Sequence, residues 1–374
     1  MIPRLHFNHS AASPCPPEAR AAIADHLALE QATGPVEAAI AVAPRLAEMH
    51  RTAETLLGAA PGQVAFTEGQ GRAIGFVAGG LRLRPGDRIL CAPSEWGGTV
   101  SAFAAIAAEV GATVEAVPMT PDHLTDLDAL TTMLDERVKL VSITSVSVSG
   151  TAIQPIAAIA ALAQTVGALV AVDASQSIGW LPLDMGVQGI DIVTASGRKY
   201  LQGPRGVALL GLSARAQEIL HPPPPDDYSV RQSDALRWES AEYSYANRLG
   251  FGAALDLRAP TVAMLGAELI ATATRLEQAL RTVPGLRLIR PNGGTTPAIA
   301  PLVAFEIAGH EPEAVQRALH GAGINIAANL ASYAPYLFAA LGSKALLRAS
   351  VHQGIGDDEI DRLVAALKHY SKLN

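Results

Sequence analysis

The sequence is short of cysteine, of aromatic residues and of charge, and each shortage removes a class of protein. Cys15 and Cys91 are the only 2 cysteines in 374 residues. They could pair, but nothing demands it, and a reducing cytoplasm is the simpler expectation. No CxxC or HExxH spacing occurs among the cysteines and the 10 histidines, so no metal site is expected. Net charge is −7 with no basic run, which leaves no nucleic-acid footprint. The most apolar stretch, 156–172, is interrupted by Gln164 and Gly167, and reads as a buried helix followed by a strand, not as a membrane span. Met1–His6 has no apolar core before a cleavage site, so no secretion signal is read there.

What is present is the balance of a compact enzyme: 49% hydrophobic and 17% charged residues, in a chain long enough for two domains. Apolar runs at 88–92, 138–144, 170–173 and 190–194 alternate with helical stretches at 36–57, 73–79, 127–134 and 155–166. That β-α-β rhythm predicts an α/β fold, a mostly parallel central sheet with helices on both faces. After a long helix over 260–282, strands at 286–289 and 302–307 and helices at 311–321 and 357–370 predict a smaller C-terminal α+β domain. The expected units are an N-terminal segment 1–15, a large domain 16–258 and a small domain 259–374. Pro222–Asp227, four prolines and two aspartates, can be neither helix nor central strand and reads as a loop.

Two residues carry the chemistry. Val170-Ala-Val-Asp173 is an apolar strand ending in a carboxylate, where ligands of open α/β sheets gather. Further on, Ala195-Ser-Gly-Arg-Lys199 precedes a Gly-Pro turn and the run Val207–Leu210, which puts Lys199 on a loop beside a strand. Taken singly, such an aspartate is a helix cap and such a lysine is solvated. Together they suit pyridoxal phosphate (PLP): the lysine forms a Schiff base, and the aspartate keeps the ring nitrogen protonated so that the ring acts as an electron sink. Thr67-Glu-Gly-Gln70-Gly71 is a glycine-containing turn into a helix, a ready phosphate site. Trp96 follows a buried strand, where an aromatic either stacks on a flat heterocycle or fills the core. Arg348 ends an apolar strand and suits either a bidentate hold on a substrate carboxylate or a structural ion pair.

The order of these motifs, from Phe7-Asn-His-Ser-Ala-Ala-Ser13 to Arg348-Ala-Ser-Val-His352, resembles the class V aminotransferase family. These are fold type I PLP enzymes, among them cysteine desulfurases, isopenicillin N epimerase and the C–S lyase of ergothioneine synthesis. The resemblance implies Lys199 as the catalytic lysine and Gln70, Gly71, Trp96, Ser149, Asp173, Gln176, Ser196 and Arg198 around the cofactor. It also implies His9, Tyr333 and Arg348 at the substrate. His9 reads equally as part of a tied-down terminus, and Arg205 as loop support or surface. Gln70-Gly71 stands where relatives carry Ala-Thr, so backbone contacts to phosphate remain and one hydroxyl is lost. Val148 and Ser149 replace the asparagine of the desulfurases, which leaves Gln176 as the donor to the cofactor's phenolic oxygen. The segment 238–247 implies a homodimer with active sites near the subunit interface, with Glu242 where desulfurases give a threonine to the partner's phosphate.

Desulfurases need a nucleophilic cysteine in the loop that here reads Ile324–Pro335, and this loop has none. Persulfide transfer is therefore disfavoured. The expectation is β-elimination from a cysteine S-conjugate, giving a thiol, pyruvate and ammonia in specialised sulfur metabolism. Decarboxylating or oxidative deamination, transamination and epimerisation are the alternatives. Ser196-Gly-Arg-Lys199 also fits the SxxK pattern of serine acyl-enzymes, but the Lys-Thr-Gly and Ser-x-Asn elements they need are missing. A fold that has lost catalysis and serves as a scaffold would not need Lys199, Asp173 and Arg348 together.

Overall fold

Strands of a parallel sheet covered on both faces are apolar along their whole length, and the main sheet of this chain is built from such runs. The computed structural model describes residues 4–150, 152–291 and 298–372, so the Met1–Pro3 part of the N-terminal reading lies outside the described residues. In chain order the strands are β1 (Leu5–His6), β2 (Val64–Thr67), β3 (Arg88–Cys91), β4 (Thr113–Ala116), β5 (Val138–Thr144), β6 (Leu169–Asp173) and β7 (Ile192–Ser196). They continue as β8 (Ala208–Leu212), β9 (Leu286–Leu288), β10 (Leu302–Ile307), β11 (Ile324–Asn325), β12 (Ala327–Leu330) and β13 (Ala345–Ser350).

Seven strands lie side by side in the order β2-β8-β7-β6-β5-β3-β4. Pairing is parallel from β7 to β4, and only β8 is reversed, antiparallel to both β7 and β2. Every residue of β6, β7 and β8 is buried. Met49, Leu57, Ile159 and Leu255 cover one face, and Val77, Phe103, Leu210 and Trp238 cover the other. A four-stranded antiparallel sheet, β12-β13-β10-β9, follows after a 3-10 turn at Ala259–Thr261. The helices Val262–Leu280, Pro312–Gly321 and Asp357–Tyr370 pack on it through a core containing Leu276, Phe305, Leu347 and Leu363.

The sequence reading missed several elements. β4 is a half-exposed edge strand whose four residues carry almost no hydrophobic signal. β12, Ala-Ala-Asn-Leu, is extended because it pairs antiparallel with β13, a tertiary cause. The helix Gly97–Val110 opens on two glycines that hide its start. The N-terminal segment is more than a terminus lying near a pocket. β1 pairs in parallel with β11, and Asn8 bridges to Ser350, so it is stitched into the C-terminal part of the chain. No helix of the described residues is long and apolar enough to cross a membrane.

Candidate active site

The site lies where β5 and β6 end beside β7. Parallel pairing places Thr144 opposite Asp173 and Asp173 opposite Thr194, so the last residues of β5 and β6 lie level with the middle of β7, and the turns after them share one edge. Asp173 is buried, with Oδ1 accepting from the Ser175 backbone N–H at 2.8 Å and Oδ2 from Gln70 Nε2 at 2.8 Å. The Gln70 side chain is thus turned toward Asp173 instead of outward to a phosphate. Its backbone remains at the first turn of the helix Gln70–Gly80, whose leading N–H groups lack helical acceptors.

The loop between β7 and β8 carries Lys199. Gly197 N–H donates to Val207 O at 3.1 Å, and Gly203 N–H donates to Gly197 O at 2.8 Å, closing the loop on itself. Phe251 packs against both glycines: a Cβ on Gly203 would lie 2.3 Å from its ring, and one on Gly197 would lie 2.8 Å away. Glycine is required here by space. Burial lowers the Lys199 pKa to about 8, with Asp173 opposing the shift and Arg198 and Arg348 reinforcing it. Part of the Lys199 amine population is therefore neutral near neutral pH.

Around the lysine, Ser196 N–H donates to Ser175 Oγ at 2.9 Å, and Arg198 Nη1 donates to Ser196 Oγ at 3.3 Å. Arg198 Nε is buried without a partner, and its pKa is lowered by burial and by Arg205 nearby. Arg205 itself is exposed. Gln176 donates from Nε2 to Ser10 O at 3.1 Å, while its buried Oε1 has no partner. Cβ atoms on Gly69 and Gly71 would meet nothing within 4 Å, so the turn before the helix is open to a bulky anion.

The surroundings of Arg348 are built by the small sheet and the segments packed on it. Arg348 on β13 is buried, donating from Nη1 to Val148 O at 2.8 Å and from Nη2 to Asn8 Oδ1 at 2.9 Å, with Nε unpartnered. Among the described residues no carboxylate pairs with it, which removes the ion-pair alternative. Burial lowers its pKa to about 10. Tyr333, on the turn Ala331–Tyr333, is exposed yet close enough to act electrostatically on Arg348. Ser149 is fully buried and accepts from Asn329 Nδ2 at 2.9 Å; the same nitrogen donates to Val148 O at 2.8 Å. Ser149 is therefore tied to β12 through its hydroxyl.

His9 does not reach Arg348; its neighbour Asn8 does. The His9 ring is buried between those of His6 and His352, at centroid distances of 4.7 and 5.3 Å, and Nδ1 bonds to Ser13 Oγ at 2.9 Å. Burial and the two neighbouring imidazoles push its pKa down to about 2. Asn8 is paired to β13 through its bridge to Ser350, and the chain turns at His9, with the Ala11 and Ala12 N–H groups donating to Asn8 O. Trp96 is half-buried, and its indole lies over the first turn of the Gly97–Val110 helix, where a Cβ on Gly98 would be 2.3 Å from the ring. Glu242 is exposed and lines a cleft of about 1100 Å³ with Glu68, Gly69 and Arg72, beside the anion-binding turn and not around Lys199.

Sequence reasoning assigned no role to Glu95, Asn8, Asn329 or Ser175. Glu95 stood next to Trp96 in the motif, but only the β3–β5 pairing shows what surrounds its carboxyl. The residues present fit PLP. A low-pKa lysine, a carboxylate at a strand end and a turn with room at Gly69 and Gly71 are the set that the cofactor's aldehyde, ring nitrogen and phosphate require, whereas Gln176 has its donor nitrogen on Ser10 O and only its acceptor oxygen free.

Comparisons with known proteins agree. The model of the family described as aminotransferase class-V matches residues 6–363. A cysteine desulfurase of Synechococcus elongatus is 30% identical over 325 residues, covering 82% of this chain; the chain spans about half, 50%, of that relative's length. A cysteine desulfurase of Klebsiella pneumoniae is 31% identical over 334 residues, 83% of this chain and 78% of its own. Among solved structures, the cysteine desulfurase CsdA of Escherichia coli superposes with a TM-score of 0.88 at 24% identity, covering 99% of this chain and 95% of that one. A C-DES variant with glycine covalently linked to its PLP gives 0.86 at 22% identity, over 98% and 96% of the two chains. At these identities the structural likenesses speak to the fold: the α/β architecture of PLP fold type I. With the family match running over nearly the whole chain, the protein belongs to the aminotransferase class-V family of PLP-dependent enzymes.

Proposed function

We propose that the chain is a C–S β-lyase acting on a cysteine S-conjugate: conjugate plus water gives a thiol, pyruvate and ammonia. C–S cleavage agrees with the cysteine desulfurases among its relatives. The observation that separates this reading from sulfur transfer is the missing acceptor. The loop 324–335 has no cysteine, Cys91 is fully buried with its thiol pKa pushed well above the usual value, and burial raises that of Cys15 as well. Neither thiol is suited to attack sulfur.

Arg348 holds the α-carboxylate of the substrate, using an Nε–H that no protein group occupies. Asn8 and Val148 O fix the guanidinium plane. Bound PLP supplies the electron sink for the pair left at Cα. Asp173 would hold the ring nitrogen, the Gly71 turn with Ser196 and Arg198 would hold the phosphate, and Gln176 would reach the phenolic oxygen by moving its Nε2 from Ser10 O. Lys199 Nζ takes the Cα proton, the C–S bond breaks with its electron pair on sulfur, and the thiolate is protonated on leaving. Water then converts the three-carbon remainder to pyruvate and ammonia. Tyr333 sits at the mouth, where the S-substituent enters. We further infer a homodimer whose 238–247 segment lies near the partner's site.

Mass spectrometry of products from PLP-loaded protein and a panel of cysteine S-conjugates tests the reading. Thiol and pyruvate in equal amounts are expected. A keto acid or aldehyde with its C–S bond intact would replace elimination by transamination or oxidative deamination. Alanine together with protein-bound sulfur would mean sulfur transfer after all.

A further inference from the structure

Among the described residues, Glu95 is the one fully buried carboxyl at the strand edge that the proposed chemistry does not use. It follows β3, and its oxygens are completely engaged. Oε1 accepts from the Trp96 N–H at 2.9 Å and from Thr144 Oγ at 2.7 Å, and Oε2 accepts from Ser142 Oγ at 2.7 Å. Ser142 and Thr144 belong to β5, and Thr144 is the register partner of Asp173 on β6. One strand therefore separates the two carboxyls, with no cation between them in the hydrogen-bond network. We propose that Glu95 is a positioning residue of the cofactor site: it fixes the backbone of the Trp96 shelf and adds a second, titratable negative charge behind Asp173. This rests on the assignment of Asp173 to the cofactor's ring nitrogen.

The two roles have different chemical requirements. Fixing Trp96, whose N–H is shared between Oε1 and Thr144 Oγ at 3.1 Å, needs acceptors and not a charge. The electrostatic role needs an ionised carboxylate, because only the charge reaches Asp173 across β5. Burial first, and the Asp173 charge second, raise the Glu95 pKa to about 7, while the donors from Thr144, Ser142 and Trp96 hold it down. The other titratable groups facing it are Cys91 on β3 and Tyr336 on the helix Pro335–Leu341; both have raised pKa values and are neutral in this range. Glu95 thus changes charge where no neighbour does. When it ionises, the added negative charge favours every protonated form of the cofactor ring and its imine.

Glu95→Gln separates the roles. The amide oxygen still accepts from Trp96 N–H and Thr144, and the amide nitrogen can donate to Ser142 Oγ, so the site keeps its hydrogen bonds and loses its charge. The measurement is the visible absorption spectrum of the cofactor-loaded protein, without substrate, titrated from pH 5 to 9. The wild type is expected to show an inflection near pH 7 that E95Q lacks, and the cofactor's own transition should move down in E95Q by on the order of half a pH unit. Ser142→Ala removes one donor to Oε2, and should move the inflection to higher pH. Superimposable titrations for wild type, E95Q and S142A, with the cofactor band present in all three, would overturn the role of Glu95 alone. Failure of the wild type to take up PLP would overturn the cofactor site as well.

Discussion

Replacing Arg348 by glutamine should impair substrate use severely without weakening the fold. An arginine kept for structure would behave in the opposite way. The guanidinium is 1% exposed and has no carboxylate partner among the described residues. Burial lowers its pKa from 12.5 to about 10, which corresponds to a cost of about 3 kcal/mol for keeping it charged in the folded state. Removing the charge relieves that cost. Against it stands the loss of two hydrogen bonds, but Val148 O retains Asn329 Nδ2 at 2.8 Å, so only Asn8 Oδ1 loses its partner, at about 1 kcal/mol. The net change is a gain of about 1–2 kcal/mol, a Tm unchanged or raised by a few degrees. Breaking a buried structural ion pair would instead cost about 3–5 kcal/mol. Turnover should respond differently, because losing a charge-assisted grip on the α-carboxylate lowers kcat/KM by about 10²–10³. The assays are differential scanning calorimetry and steady-state kinetics on R348Q, with an S-conjugate of cysteamine, which lacks the carboxylate, as control substrate. Wild type and R348Q should handle the control alike. A variant that loses several degrees of Tm and keeps its kcat/KM on the cysteine conjugate would refute the assignment.

Lys199→Ala should bind PLP without a covalent bond, so that borohydride reduction leaves no mass increment on the protein and turnover disappears. In the wild type, single-turnover rates should climb as pH rises through about 8, the pKa to which burial lowers Lys199, because the neutral amine is the base. Gly203→Ala should destabilise by about 1–3 kcal/mol, since its Cβ would sit 2.3 Å from the Phe251 ring, and Phe251→Leu in the same chain should return part of the loss in a urea titration. His352 has its pKa lowered to about 4 by burial, below the 6.5 of the unfolded chain, so the folded state takes up fewer protons and stability falls as pH drops from about 6.5 toward 4. Thermal melts across that window should show a steep fall, to which buried His9 also contributes, and His352→Gln should make it shallower.

The parts of this fold that were legible in the sequence are those written in local chemistry. Asp173 ends an apolar run, Lys199 precedes a Gly-Pro turn, and β6 and β7 are apolar because both faces are covered. What could not be read depends on register. Glu95 becomes a buried three-donor carboxyl only once β3 pairs with β5, and no periodicity within residues 88–96 encodes that pairing. The choice between Asn8 and His9 turns on where the segment stops pairing and turns, which is set by β11 and β13, far along the chain. Gln70 was read through its backbone, because a helix start predicts N–H groups but says nothing of where the first side chain reaches. Asn329 was hidden for the same reason as β12: nothing marks Ala-Ala-Asn-Leu as a strand until β13 is beside it.

The hydrogen bond from Arg348 to Asn8 spans 340 residues, and Ser10 reaches Ser350 over the same separation. Ser13 meanwhile bonds to Arg198 O, and Ser10 to Tyr200. Residues 8–13 precede the seven-stranded sheet in the chain, so during synthesis they must stay uncommitted while that sheet forms, and close over the lysine loop once β13 has emerged. The candidate site is thus completed late, by a segment that precedes the sheet, and contacts of such long range make that closing step slow compared with the helices and hairpins around it.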